Sequence, residues 1–152
     1  MAAKQALPGK QYRHELKYII SEGEHQLLST RVKACLKQDY HASINGGEYF
    51  IRSLYFDDPF DTALWEKSSG VGSRDKFRIR IYNMQDNTIK LERKHKEGQY
   101  IKKDSVSLSR QDCDEIVRGR FECLKHNDSP FAMQFYGIFL ANHLRPKVLV
   151  DY

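Results

Sequence analysis

Apolar and polar positions alternate most cleanly in RDKFRIRIYN, from Arg74 to Asn83, where Phe77, Ile79 and Ile81 oppose Lys76, Arg78 and Arg80. Side chains two apart share one face of a strand, so the pattern predicts a strand over 76–83 with an apolar face and a cationic face. Further strands are predicted at about 88–95 and 99–108. Gln85-Asp86-Asn87 and Lys96-Glu97-Gly98 supply turn chemistry between them, which makes an antiparallel meander. Upstream, YRHELKYII (12–20) sets Arg13, Glu15 and Lys17 against a mostly apolar face and predicts a first strand, and EYFIRSLYFD has the aromatic and β-branched composition of another.

The apolar period switches to helical in four places. Ser21 followed by Glu24 is a capping-box signature, with Leu27, Leu28, Val32, Cys35 and Leu36 recurring at helical spacing behind it. Asp58-Pro59 and Asp61 open a short helix carrying Leu64 and Trp65, stopped by Ser68-Ser69-Gly70. Ser109 with Asp112 opens another, with Cys113, Ile116, Val117, Phe121 and Leu124 facing inward. Ser129-Pro130 opens the last, with Phe131, Phe135, Ile138 and Phe139 at core spacing, and Arg145-Pro146 ends it. KVLVDY then reads as the start of a strand. Residues 1–10 read as a flexible leader and 11–152 as one α+β domain, since 152 residues suffice for a single core.

There is no run of about 18 apolar residues and no signal-peptide pattern, which predicts no transmembrane segment and a cytoplasmic location. Cys35, Cys113 and Cys123 are odd in number and lack CxxC spacing, so reduced thiols are expected, with Cys35 and Cys113 in the core. Cys123 and His126 form a lone C-x-x-H that lacks the second pair of a zinc site.

Charge changes the picture more than length does. The net charge is +5, but between Arg74 and Lys103 ten Lys/Arg stand against four Asp/Glu, so the positive field belongs to one region. Glu15 and Lys17, then Lys76, Arg78 and Arg80, then Lys90, Glu92 and Lys94 share strand faces, and Lys102 and Lys103 straddle the strand after them. Such a grid can be a solvated surface with cross-strand ion pairs. Its excess of cations instead calls for an anionic counterpart, and mixed Arg and Lys suit phosphate oxygens. GxxxxGK[ST], GxGxxG and GxSxG are absent, so no P-loop, Rossmann site or nucleophile elbow is supported. Aromatics interleave with the basic residues, as in single-strand nucleic-acid binders, but Phe77 lies on the face opposite the cations, and no specific nucleic-acid motif is evident.

RHELKY (13–18), IRSLYFDDP (51–59), DKFRIRIY (75–82), IKLERKHK (89–96) and RPKVLVDY (145–152), in this order, resemble the VTC domain, the polyphosphate polymerase domain of the CYTH-like or triphosphate-tunnel superfamily. The resemblance implies an antiparallel sheet forming part of a tunnel or barrel, with inward basic residues and helices packed outside. It implies transfer of the terminal phosphoryl of ATP to polyphosphate with a divalent metal, Mg or Mn. The family's phosphate ligands fall on Lys17, Arg78, Arg80, Lys94 and Lys103 or Lys102, with Arg52 a further candidate. Arg78, Arg80 and Lys94 would act on the reacting phosphate, while Glu15 and Glu92 are candidates to hold metal or to balance a neighbouring Lys. Arg13-x-Glu15-x-Lys17 lacks the first glutamate of the superfamily's ExExK pattern, which points to the polymerase branch rather than to hydrolysis. Family members continue past Tyr152 with a Y-x-R motif and further basic strands. The chain is therefore expected to hold the N-terminal part of the tunnel, to need a second copy or further strands for closure, and to be weakly active by itself. The alternative is a module that binds polyphosphate or inositol phosphates without turnover.

Overall fold

The computed structural model describes residues 12–38, 40–43 and 47–152, so the predicted leader lies outside the described residues. The chain divides into two compact units, one comprising Ile51–Tyr152 with the described residues up to Glu15, the other Leu16–Phe50.

The larger unit is built on a six-stranded, wholly antiparallel sheet in the order β1-β5-β4-β3-β2-β6. Its strands are β1 (Arg13–His14), β2 (Ile51–Asp57), β3 (Ser73–Tyr82), β4 (Gln85–Glu97), β5 (Tyr100–Leu108) and β6 (Arg145–Asp151). Among the described residues β1 and β6 are the two edges, so the sheet is open. The meander β3-β4-β5 follows the predicted order, but its first turn falls at Asn83-Met84, both at positive φ, and Gln85-Asp86-Asn87 already belong to β4. Two successive left-handed residues make the mirror-image turn whose twist matches a hairpin, which polarity alone does not locate. The predicted first strand is cut to two residues. β1 pairs with β5 only at Arg13↔Ile101 and His14↔Tyr100, and from Glu15 onward no ladder continues.

Helices cover one face of this sheet. Phe56, Phe77, Ile79, Ile89, Leu91, Val106 and Leu108 project from it into a core completed by Ile116, Phe121, Leu124, Phe135 and Phe139. Phe139 sits at the centre, edge-to-face with Phe56, Phe77 and Phe121 at 5.1, 5.3 and 5.1 Å, each such pair adding about 0.5–1.5 kcal/mol to simple burial. The elements that deliver these side chains are α4 (Arg110–Val117), the segment around a 3-10 turn (Glu122–His126) and α5 (Ala132–Ala141), while α3 (Thr62–Ser68) contributes none of them. Ser109 and Asp112 form the predicted capping box of α4. Phe121 and Leu124, expected on the same helix, belong instead to the separate segment beyond Gly119, whose φ of 82° ends the helical path. For α3 the cap is displaced: Asp57 accepts from the Ala63 and Leu64 amides and Asp58 from Thr62, while Asp61 makes no capping bond. Leu64 and Trp65 remain exposed.

The smaller unit contains α1 (Glu22–Cys35) and the short α2 (Tyr40–Ser43). Ser21 and Glu24 cap α1 reciprocally, as predicted. Leu27, Leu28, Val32 and Leu36 are exposed, and so is Cys35, which the helical period had assigned to the core. A period marks a face but does not supply what packs on it. Among the described residues no helix is long and apolar enough to cross a membrane.

Candidate functional site: the basic face of the sheet

The other sheet face carries the cations. Register sets Arg74, Lys76, Arg78 and Arg80 of β3 opposite Lys96, Lys94, Glu92 and Lys90 of β4, and Lys94 in turn opposite Lys103 of β5. Three of the four β3–β4 pairs are therefore like-charged, an arrangement that costs rather than stabilises when the charges lie directly opposite. Arg78↔Glu92 is the exception.

Glu92 is the hub of the face. It is 2% exposed, its Oε2 accepts from Arg78 Nε at 2.9 Å, and its Oε1 lies 3.0 Å from Lys103 Nζ. Burial pushes the Glu92 carboxyl up, but the bonds and charges of Lys103 and Arg78 outweigh it and hold the carboxyl below its ordinary range. Arg78 also donates from Nη1 to the Tyr55 hydroxyl at 3.2 Å. Burial would lower its pKa, yet Tyr55 and Glu92 together raise it, so the guanidinium stays charged.

Arg80 leans the other way. Its Nε donates to Ser53 Oγ at 3.3 Å, its Nη2 donates to the Tyr152 hydroxyl, and its guanidinium stands 5.8 Å over the Tyr152 ring. Burial pushes the Tyr152 phenol up, but the Ser53 bond and the charges of Arg80 and Arg78 bring it below the ordinary tyrosine range. Lys94 Nζ meets both oxygens of Glu15, at 3.0 and 2.9 Å, so Glu15 joins the face through the chain just after β1. Ser53 and Tyr55 share this face because they alternate with Leu54 and Phe56. That signal was present in SLYF, though neither residue is basic enough to attract notice in a search for phosphate ligands.

The structure thus brings together Arg78, Arg80, Lys94, Lys103, Glu15 and Glu92. Two predicted ligands fall elsewhere. Arg52 shares parity with Leu54 and Phe56 on the helix-packed face, where it forms a two-point pair with Asp151 at 2.8 and 2.7 Å. Lys102 shares parity with Asp104 and Val106 and lies 3.8 Å from Asp104 Oδ1. In both cases the period of two turns the side chain away from Arg78 and Arg80. Lys17 belongs to the smaller unit.

Glu15 and Glu92, expected to hold metal or to balance a neighbouring Lys, pair with Lys94 and with Arg78 and Lys103 respectively. No group of three or more His, Cys, Asp or Glu able to hold a metal ion occurs among the described residues, and the C-x-x-H of Cys123 and His126 joins none.

Fold and face define an α+β protein whose antiparallel sheet is apolar and helix-packed on one side and densely cationic on the other. The family model of the VTC domain matches residues 12–152, nearly the whole chain, and the protein belongs to this polyphosphate polymerase-type family. A search of curated proteins found no match.

Proposed function

We propose that the cationic face binds the phosphates of ATP and polyphosphate, and that the protein is a polymerase transferring the terminal phosphoryl of ATP to a growing polyphosphate chain. The observation that carries this reading is the placement of Arg78, Arg80, Lys94 and Lys103 on one sheet face, with Arg78 and Lys103 sharing the buried Glu92 carboxylate, in a chain of the VTC family. Phosphoryl transfer asks for in-line positioning and neutralisation of oxygen charge, and the incoming polyphosphate end is itself the nucleophile, so no protein nucleophile is needed. Arg78 and Arg80 offer planar forks to non-bridging oxygens, and Lys94 and Lys103 offer point charges along the same track. Divalent metal, Mg or Mn, enters this reading as a companion of the ATP phosphates. The sheet becomes one wall of a phosphate tunnel in this proposal, with further strands or a second copy completing it, and the site of action is cytoplasmic.

ATP-dependent polyphosphate synthesis by the full-length protein, with Arg78→Ala and Arg80→Ala each abolishing it while the fold persists, is the expected result. A protein that binds tripolyphosphate but makes no polymer under any metal would be a binding module instead. A preference for single-stranded RNA over tripolyphosphate would sink both readings.

A further inference from the structure

On the basic face, Glu92 ties together two strands that flank its own. β4 lies between β3 and β5, and Glu92 divides its two oxygens between them, Oε2 to Arg78 on one side and Oε1 to Lys103 on the other. Arg78 and Lys103 therefore come from strands that are not neighbours. Two cations drawn toward one point in a half-buried setting repel each other unless an anion stands between them. Glu92 supplies that anion with almost no access to solvent, while the Arg78 and Lys103 side chains keep 13% and 33% of theirs. Arg78 uses Nε and Nη2 on Glu92 and Nη1 on Tyr55, which leaves two of its five N–H donors, and Lys103 retains two of three.

We propose that Glu92 is a positioning residue: its carboxylate fixes Arg78 and Lys103 as one two-cation seat for a phosphate group, and it acts through them rather than through a metal ion. This rests on the reading of the face as a phosphate site. It carries a sign that charge alone does not. Removing an anion from a cationic surface strengthens its field and should tighten binding of a polyanion, whereas removing the strut that holds two ligands in place weakens it.

The discriminating experiment is calorimetric titration of the whole chain with sodium tripolyphosphate in EDTA, for the wild type, Glu92→Gln, Arg78→Ala and the double variant, with circular dichroism confirming the fold. Glu92→Gln is expected to weaken binding roughly tenfold in the wild-type background and by less than about twofold once Arg78 is gone, the non-additivity typical of residues in one network. Unchanged or tighter binding by folded Glu92→Gln overturns the proposal, and so does a loss that appears only when divalent metal is added. Should Glu92→Gln fail to fold, Glu92→Asp keeps the charge but withdraws it by one methylene; weakened binding is expected there too, and wild-type affinity overturns the seat. Wild-type protein that does not bind tripolyphosphate at all refutes the phosphate-site reading itself, before any variant is compared.

Discussion

Arg93 and Asp104 meet across β4 and β5 on the helix-packed face, Nη2 to Oδ2 at 2.6 Å, with Asp104 wholly buried. Arg93 also lies 5.7 Å from the centre of the Phe135 ring and bonds Gln134, so the pair ties the sheet to α5. Breaking such a pair leaves an uncompensated charge in the interior. Asp104→Asn is expected to lower unfolding free energy by about 3–5 kcal/mol in urea titrations. Replacing both partners with apolar residues of similar volume should recover much of that loss, and an additive double variant would contradict the pairing.

The two sheet faces make separable predictions for phosphate binding. Arg80→Ala should weaken tripolyphosphate binding by about 1.5–3 kcal/mol, the worth of a hydrogen bond to a charged group. Arg52→Ala and Lys102→Ala should change it by no more than a few tenths of a kcal/mol, since their side chains leave from the opposite face. Calorimetry on the three variants decides the matter, and a loss at Arg52 equal to that at Arg80 would reverse the face assignment.

Thiol reactivity should separate the cysteines. Cys35 is exposed, while Cys113 and Cys123 are half-buried, and burial pushes the Cys123 thiol up to about 11. The thiolate is the reacting species. Native alkylation near pH 8 followed by peptide mass analysis should modify Cys35 first and Cys123 last, with the difference vanishing in denaturant.

Acid should act through Glu92. Its folded pKa lies below its unfolded one, so its contribution is fully present above the unfolded value of about 4.3 and is lost as pH falls through the folded value. Urea melts between pH 6 and 3 should show the wild type losing its advantage over Glu92→Gln only below about pH 4.3. An advantage that disappears near neutrality would mean that Glu92 is not held ionised by Arg78 and Lys103.

Much of this was legible in the sequence because a strand has a strict period. The faces of Phe77, Arg78, Ile79 and Arg80 follow from alternation alone, and the same parity places Arg52 and Lys102 away from them once basic character is given no vote. The caps at Ser21 and Ser109 are local chemistry and were equally readable. What needed the structure was everything set between strands. That Glu92 faces Arg78, and that Arg93 finds Asp104, depends on register, which the positions of Asn83 and Met84 and the shift between Arg80 and Tyr82 help to set. The exposed α1 face shows the complementary limit: Leu27, Leu28 and Val32 recur correctly for a helix, and periodicity is silent about a partner.

The like-charged pairs Arg74↔Lys96, Lys76↔Lys94 and Arg80↔Lys90 mean that folding gathers repulsion into one surface. Simple salt should relieve it and raise the melting temperature of the free protein. The same salt screens a polyanion from the same surface and should weaken binding, so stability and affinity are set to move in opposite directions with ionic strength. A bound polyphosphate does both jobs at once, as counter-ion to the sheet and as ligand, and its stabilisation of the fold grows with the ratio of its concentration to Kd. Protein prepared at low ionic strength without phosphate is thus in its least stable and most receptive condition.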